Sequence, residues 1–275
     1  MSEPATWGVR RTLLDLTDKL HLARPVVRAY ELALAAKSSL WPNGAEAADG
    51  LPLPPARLRA QIGPLHADAA FFLRSGQSQA DLVRDLLRED GTSIEELDAI
   101  LDFGCGCGRV LRHWARLDGT HVHGCDIDAR MIGWCAAKLP FAEVAVNELS
   151  PPLPYGDASF DLLYALSVFT HLSEELQHAW IDESRRVLRP GGYLLISTLG
   201  EYYVSRKRLT DSERAAFARG ELVVLYERSA GTSLCSAYHP PEYVREQLGR
   251  GLDLVAFRAA AAEGGQDVHL FRKPR

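Results

Sequence analysis

Several short clusters of glycine and polar residues stand at the ends of apolar runs, and their types limit the chemistry available. The first is Leu101-Asp102-Phe103-Gly104-Cys105-Gly106-Cys107-Gly108-Arg109. Glycine at every second position lets the backbone turn tightly and lets a ligand approach without Cβ clashes. A helix opening behind such a turn would offer free N–H groups. A glycine-rich turn is a weak signal on its own, because many nucleotide-binding folds have one. Two details narrow it. Arg109 stands where a dinucleotide fingerprint wants a third glycine or alanine. Asp102 immediately precedes the loop, where a carboxylate would repel a pyrophosphate but suit a ligand carrying an ammonium and a sulfonium. Unit charges about 4 Å apart at an effective dielectric of about 20 interact by roughly 4 kcal/mol before desolvation, so the sign is informative. The competing reading of Asp102 is a turn residue in water.

The other clusters follow in order. Asp126 closes the next apolar run, about 20 residues past the loop, where a carboxylate can accept both hydroxyls of a ribose. Asp128 reads more simply as a helix N-cap. Asn147 and Glu148 end the third run, where a polar side chain can meet an adenine amino group or serve as ordinary loop polarity. His171 lies just past the fourth run and titrates in the range of a general base. A hydrogen-bonded turn histidine is the alternative. Cys105, Cys107, His121, His123 and Cys125 are metal-ligand types, but zinc wants four ligands converging on one point and no fourth partner is established. No metal is expected; small side chains packed in a tight loop are preferred.

The elements that would position these residues alternate. Apolar runs at 99–103, 121–126, 141–146, 160–168 and 192–198 read as strands, with helical patterns at 109–117, 128–139 and 173–189. Such alternation implies a parallel sheet covered on both faces. The last two runs, LDLVAFRAA and QDVHLFRKP, flank Glu263-Gly264-Gly265. That gap is too short for a crossover helix, so they must pair as an antiparallel hairpin. Residues 12–40 read as helical with a break at Pro25, residues 41–60 as a Pro- and Gly-rich linker, and residues 71–91 as a helix stopped by Gly91. The stretch from Gly200 to about Ser236 is rich in Tyr, Ser and charge and does not read as a crossover. Loops at the carboxyl edge of such sheets carry specificity, which makes Tyr202, Tyr203, Tyr238 and His239 candidates for binding an acceptor or for plain packing.

In this order the motifs resemble the class I S-adenosylmethionine (SAM)-dependent methyltransferases, the seven-stranded Rossmann-like family, in particular its bacterial small-molecule group. LDFGCGCGR resembles the first glycine motif and GCDID the ribose-binding acidic motif. LPYGDASFDLLYALSVFTHL resembles the fourth-strand motif and ESRRVLRPGGYLLIST the fifth. The resemblance covers about residues 95–200. It implies an α/β fold: a doubly wound, mostly parallel seven-stranded sheet with an antiparallel C-terminal hairpin strand. A helical region over 1–75 would precede a SAM-binding domain over 76–275, with a substrate insertion at about 200–240. SAM is the implied cofactor. Asp102, Gly104, Cys105, Gly106 and Gly108 would lie near its methionine end, Asp126 and Ile127 at the ribose, and Asn147 and Glu148 near the adenine. Leu166 is a further cofactor contact, and Ser167 to His171 would line the methyl-transfer cleft. The two cysteines in the loop and the long helical N-terminus depart from the pattern.

Composition bounds the acceptor. The 275 residues carry a formal charge of −5, with 47% hydrophobic and 24% charged residues, which supports a packed core and gives no global basic excess for nucleic acid. The run Arg206-Lys207-Arg208 reads as a solvated face. The N-P-P-Y type signature of amino-directed nucleic-acid methylation is absent after the fourth strand, where Ala165, Leu166, Ser167 and Val168 stand. A small-molecule acceptor methylated at oxygen or nitrogen, a sugar or secondary metabolite among the options, is therefore expected. Five cysteines, no secretory h-region and no apolar span of about 18 residues point to the cytoplasm without stable membrane insertion. The N-terminal helices admit three roles, a lid, a dimer arm that would make a homo-oligomer or a membrane-surface anchor, with packing against the catalytic domain as the ordinary explanation. Asp15, Asp18 and Glu31 weaken the last. Two other function classes stay open: a catalytically silent SAM-binding partner or sensor, and a nicotinamide-dependent oxidoreductase, against which the glycine spacing and Asp102 count.

Overall fold

A computed structural model describes residues 5–20, 22, 25, 26, 29, 33, 49–206 and 209–275. Most of the helical reading beyond residue 20, the first part of the 41–60 linker, and Lys207 and Arg208 lie outside these residues. The helices used below are α1 (Ala5–Lys19), α2 (Ala56–Ile62), α3 (Ala69–Glu89), α4 (Ala129–Lys138), α5 (Glu174–Val187), α6 (Glu201–Arg206) and α7 (Asp211–Ala218). The strands are β1 (Ala99–Phe103), β2 (His121–Asp126), β3 (Ala142–Val146), β4 (Phe160–Ala165), β5 (Leu188–Thr198), β6 (Val223–Leu225), β7 (Ser236–Tyr238), β8 (Asp253–Ala262) and β9 (Gln266–Arg272).

Seven strands form one sheet in the order β3-β2-β1-β4-β5-β9-β8. The first five are parallel, while β9 runs antiparallel to both β5 and β8. The expected fold class and terminal hairpin are what the structure has. Central strands buried on both faces split their side chains by period two. Ile100, Leu162, Tyr164, Leu195 and Leu270 enter one core with Val83 and Leu87 of α3, while Leu101, Phe103, Leu163, Leu194 and Phe271 enter the other with Trp180 of α5. Asp102 lies on the first face, in register with Gly124 of β2 and Tyr164 of β4. Caps set the helix starts: Asp68 accepts from Phe71 N (2.7 Å), Asp128 from Arg130 N (2.8 Å), and Ser173 from Leu176 N (3.3 Å). No helix among the described residues is long and apolar enough to cross a membrane.

Three expectations change. The segment after the glycine loop is no α-helix but a single 3₁₀ turn, Leu111–Trp114. Arg112 anchors it: its buried guanidinium bonds Asp49 (2.7 and 3.0 Å) and the carbonyls of Leu51 (3.1 Å) and Pro52 (3.3 Å). The fourth strand stops at Ala165 rather than running to 168, because Ser167 takes φ +63°. The linker gives way to α2 after Pro54-Pro55, and Arg59 of that helix is buried against the carbonyls of Pro54, His66 and Ala67.

The insertion after β5 folds as α6, α7 and the two-stranded β6–β7 sheet. Helix α1 packs on it. Arg11 pairs with Glu213, and Asp18 accepts from the Ser229 hydroxyl.

Helix α3 presses on the glycine loop at Gly76, where a Cβ would lie 2.2 Å from the Arg109 carbonyl oxygen and 2.9 Å from His113 Nε2. Replacing Gly76 with alanine is expected to destabilise the protein by about 1–3 kcal/mol, the usual cost of forcing extra volume into a packed contact. A drop in denaturant midpoint checks this, and an unchanged midpoint would show that the contact tolerates a methyl group.

Candidate active site

The carboxyl ends of β1 and β4 meet at a cavity of about 290 Å³. The loop after β1 is tied to β2, with Gly104 N and Cys105 N both donating to the Cys125 carbonyl (2.8 and 3.0 Å). Gly104 has φ +82°, and a Cβ there would meet Val168 Cγ2 at 2.4 Å, so the position admits only glycine. Gly106 N donates to Asp126 Oδ2 (2.9 Å), and Asp128 N to Asp126 Oδ1 (2.8 Å). The thiols of Cys105 and Cys135 turn to the Gly106 carbonyl (3.7 and 3.5 Å). The loop cysteines therefore brace the turn from behind. Burial pushes the thiols of Cys107 and Cys125 well above their ordinary range, which keeps them protonated. Among the described residues no group of three His, Cys, Asp or Glu side chains is placed to hold a metal ion.

Asp102 is the centre of charge. Only 4% of it is exposed, and its Oδ2 has no hydrogen-bond partner. The Tyr164 hydroxyl and the Leu111 N–H face the carboxylate and favour its charged form, and Tyr164 accepts from Trp114 Nε1 (2.7 Å). Burial outweighs these contacts and raises the carboxyl to about 7. A buried carboxylate with an unpartnered oxygen on a cavity wall is a receptor for a cation.

His171 stands on the same wall. It ends the 3₁₀ turn Phe169–His171, and the insertion clamps it: Gly231 N donates to its carbonyl (2.8 Å), and its Nδ1 faces the Cys235 carbonyl (2.7 Å). A carbonyl can only accept, so Nδ1 carries the hydrogen and Nε2 keeps its lone pair. Burial lowers the ring below its ordinary 6.5, despite the bond to Cys235, so the imidazole is neutral at pH 7.

The structure brings together Asp102, Gly104, Cys105, Gly106, Leu166, His171 and Tyr203 on this wall. Gly108 sits behind the loop against Leu139 and Cys135. Asp126 and Asn147 stand at the ends of β2 and β3 and do not line the cavity; Asp126 reaches it through its bond from Gly106 N, and Asn147 Oδ1 is buried and unpartnered. Ile127 and Glu148 are exposed there. Tyr202 turns outward, under the Arg206 guanidinium at 3.7 Å and against Gly265. Tyr238 and His239 stand apart from the cavity. The β6–β7 pairing and the bond from His239 N to Leu199 O (2.8 Å) draw both inside, Tyr238 into an apolar cluster with Leu199, Phe217 and Val223. His239 is fully buried, with Nε2 3.0 Å from Gln177 Oε1, and burial lowers it to about 3. The two are packing residues rather than parts of an acceptor pocket. Sequence reasoning also missed wall residues from distant segments: Ile62 to His66, Arg109, and Glu263 to Gln266 of the terminal hairpin. Arg109 Nη1 pairs with Glu263 Oε2 at 2.8 Å, and Glu263 Oε1 lies 2.9 Å from His66 Nε2. No local pattern marks these residues, because their roles come from meeting across the cavity.

Residues 101–196 match the sequence family described as a methyltransferase domain. The chain is 32% identical over 150 residues to a malonyl-[acyl-carrier protein] O-methyltransferase of Yersinia pestis, covering 51% of this chain and 54% of that protein. It is 29% identical over 184 residues to the 27-O-demethylrifamycin SV methyltransferase of Amycolatopsis mediterranei, covering 64% and 59%. Among solved structures, a SAM-dependent methyltransferase from Aquifex aeolicus shares the fold at a TM-score of 0.50 and 17% identity, covering 78% of this chain and 97% of that one. The chain spans about half the length of the curated relatives it matches. SAM is the cofactor these likenesses indicate, and the site fits it: unpartnered Asp102 for the ammonium, the Gly104 cradle for close approach, and unpartnered Asn147 Oδ1 as an acceptor for the adenine amino group.

Asp102 binds its proton more tightly folded (about 7) than in its ordinary state (3.8), so it holds more protons in the native state between these values, and stability falls as pH rises through that window. Without ligand, Asp102→Asn is therefore expected to be more stable than the parent at pH 8 by roughly 2–4 kcal/mol, with the gain vanishing towards pH 4. The same change should weaken S-adenosylhomocysteine (SAH) binding in calorimetry. A variant less stable than the parent at pH 8 would show the carboxylate to be structural.

Proposed function

We propose that this chain, which carries a class I SAM-dependent methyltransferase domain, transfers the SAM methyl group to an oxygen or nitrogen of a small-molecule acceptor. One observation carries the reading: a cation-seeking carboxylate, Asp102, and a neutral base, His171, face one cavity. The relatives named above act, by their names, on a malonyl-[acyl-carrier protein] and on 27-O-demethylrifamycin SV, which supports methyl transfer as the class of reaction. When bound, SAM supplies a methyl carbon already activated by a sulfonium leaving group. The protein's task is then to align donor and acceptor and to keep water out. Asp102 pairs with the ammonium. Asp126, whose two oxygens each accept one backbone N–H, keeps lone pairs for the ribose hydroxyls. His171 Nε2 takes the proton of an acceptor that must lose one. Asp102, Gly104, Cys105, Gly106 and Leu166 hold the cofactor, with Tyr203 on the acceptor side.

The net charge of −5 favours an uncharged or cationic metabolite over nucleic acid. Five buried cysteines, none in a disulfide, support a reducing cytoplasmic setting.

His171→Ala should bind SAH as the parent does but lose about 10²- to 10⁴-fold in kcat/KM on an acceptor that must be deprotonated. Because burial lowers the imidazole, the acid limb of kcat/KM in the parent should fall below pH 6.5. SAH release from SAM, followed by chromatography with fractionated metabolite extract, measures both. Tight SAH binding with no turnover on any fraction would instead identify a silent SAM-binding protein.

A further inference from the structure

A closed ring of hydrogen bonds fixes the chain where β4 ends. Ser167 N–H donates to Ser197 Oγ on β5 (2.7 Å). Ser197 is fully buried, so its own hydroxyl hydrogen needs a partner, and it goes to Gln266 Oε1 at the start of β9 (2.6 Å). This fixes which way the amide faces. Gln266 Nε2 then donates back to Ser167 Oγ (2.8 Å). The Thr170 hydroxyl adds a bond to the Ser167 carbonyl (3.0 Å). The ring holds Ser167 at φ +63°, a conformation that a non-glycine residue keeps only when its surroundings over-determine it, and such strain gathers at functional sites. Since Ser167 Oγ accepts from Gln266, its own hydrogen is left to donate to a ligand. Ser167, Gln266 and His171 share the cavity wall.

The charge on that wall is the second observation. Arg109, which could anchor an anionic acceptor, is paired with Glu263 at 2.8 Å. A carboxylate acceptor would have to displace that pair or take the cofactor's sulfonium as its sole counter-charge, on a wall that already holds the Asp102 carboxylate. With the cofactor's ammonium on Asp102, a neutral hydroxyl would find a donor, a base and no further unpaired charge.

Resting on the methyltransferase reading, we infer that the acceptor atom is the oxygen of an uncharged alcohol or phenol hydroxyl, received between the Ser167 hydroxyl and His171 Nε2, with Gln266 as the positioning residue and carboxylates rejected. The Ser167 O–H occupies one lone pair of the acceptor oxygen, and the acceptor's hydrogen points at His171. The second lone pair forms the new O–CH₃ bond as the C–S bond of SAM breaks, the electron pair stays on sulfur to give neutral SAH, and the acceptor's proton passes to His171 Nε2.

The test uses the whole protein with methyl-tritiated SAM and a bacterial metabolite extract. The expected product keeps its label through mild alkali, which cleaves methyl esters to volatile methanol, and loses it to hydriodic acid, which cleaves methyl ethers and spares N-methyl groups. Alkali-labile label would overturn the hydroxyl assignment while leaving methyl transfer intact, and label resistant to both treatments would place it on nitrogen or carbon with the same result. No labelled product at all would remove the methyl-transfer reading, and this inference with it. Ser167→Ala and Gln266→Leu should each lower kcat on the purified acceptor about tenfold and leave the SAH dissociation constant within about twofold. Gln266→Asn, which keeps the amide, should fall between. Equal losses of SAH affinity and turnover would assign Ser167 to the cofactor instead, and unchanged turnover in both variants would end its role with the acceptor.

Discussion

A carboxylate buried at the end of the central strand, with one oxygen left unpartnered, is a debt that the rest of the site is arranged around. Taking Asp102 out of water disfavours its charged form, and burial here outweighs the opposing influence of Tyr164, Arg109 and the Leu111 N–H. The fold tolerates this because neighbouring elements hold the residue in place. Trp114 donates to Tyr164, the Tyr164 hydroxyl faces Asp102, and the 3₁₀ turn that carries Trp114 is pinned by Arg112 to Asp49 and the carbonyls around it. A helix following the glycine loop would have placed Trp114 elsewhere. The single tight turn and the strained charge belong to one arrangement, which a bound ammonium completes.

The acceptor side is built differently. Its wall is assembled from chain segments far apart in sequence: the 3₁₀ turn at Pro64–Ala67, the loop at Arg109, the end of β4 and the β8–β9 turn. Each contributes groups whose bonding is closed within the wall. Arg109 and Glu263 neutralise each other with His66 packed beside Glu263, and Ser167, Ser197 and Gln266 complete a ring. Such closure in a low-dielectric site holds polar groups in one geometry. It also sets the wall against charge in the acceptor while leaving hydrogen-bonding capacity in place. The insertion after β5 acts through backbone contacts, from Gly231 and Cys235, that hold His171 and fix its tautomer.

Much of this was legible in the sequence. Period-two and continuous apolar runs locate the strands to within a few residues, because burial on both faces of a parallel sheet leaves no choice of residue type. The short Glu263-Gly264-Gly265 gap required the final antiparallel hairpin, since no crossover fits in it. Asp128 is the N-cap its position suggested. Helicity after the loop was misjudged: the 3.6-residue pattern of 109–117 was real, but the Arg112 contacts to Asp49, Leu51 and Pro52 override it. Tyr238 and His239 looked like pocket residues by composition alone, and strand pairing turned them inward.

The sequence by itself determined where the strands of the main sheet lie to within a few residues, which turn a ligand can approach, and the sign of the charge waiting there. Those are local properties, set by side-chain burial, by glycine's freedom at Gly104 and by the placement of one aspartate. Only the tertiary structure decided that the aspartate is starved of a partner, that Arg109 is already neutralised, and that Gln266 reaches back to Ser167 across 99 positions. Local pattern encodes what each segment must bury. Which distant polar groups then meet, and which one is left unsatisfied, is fixed only when the strands take their order in the sheet.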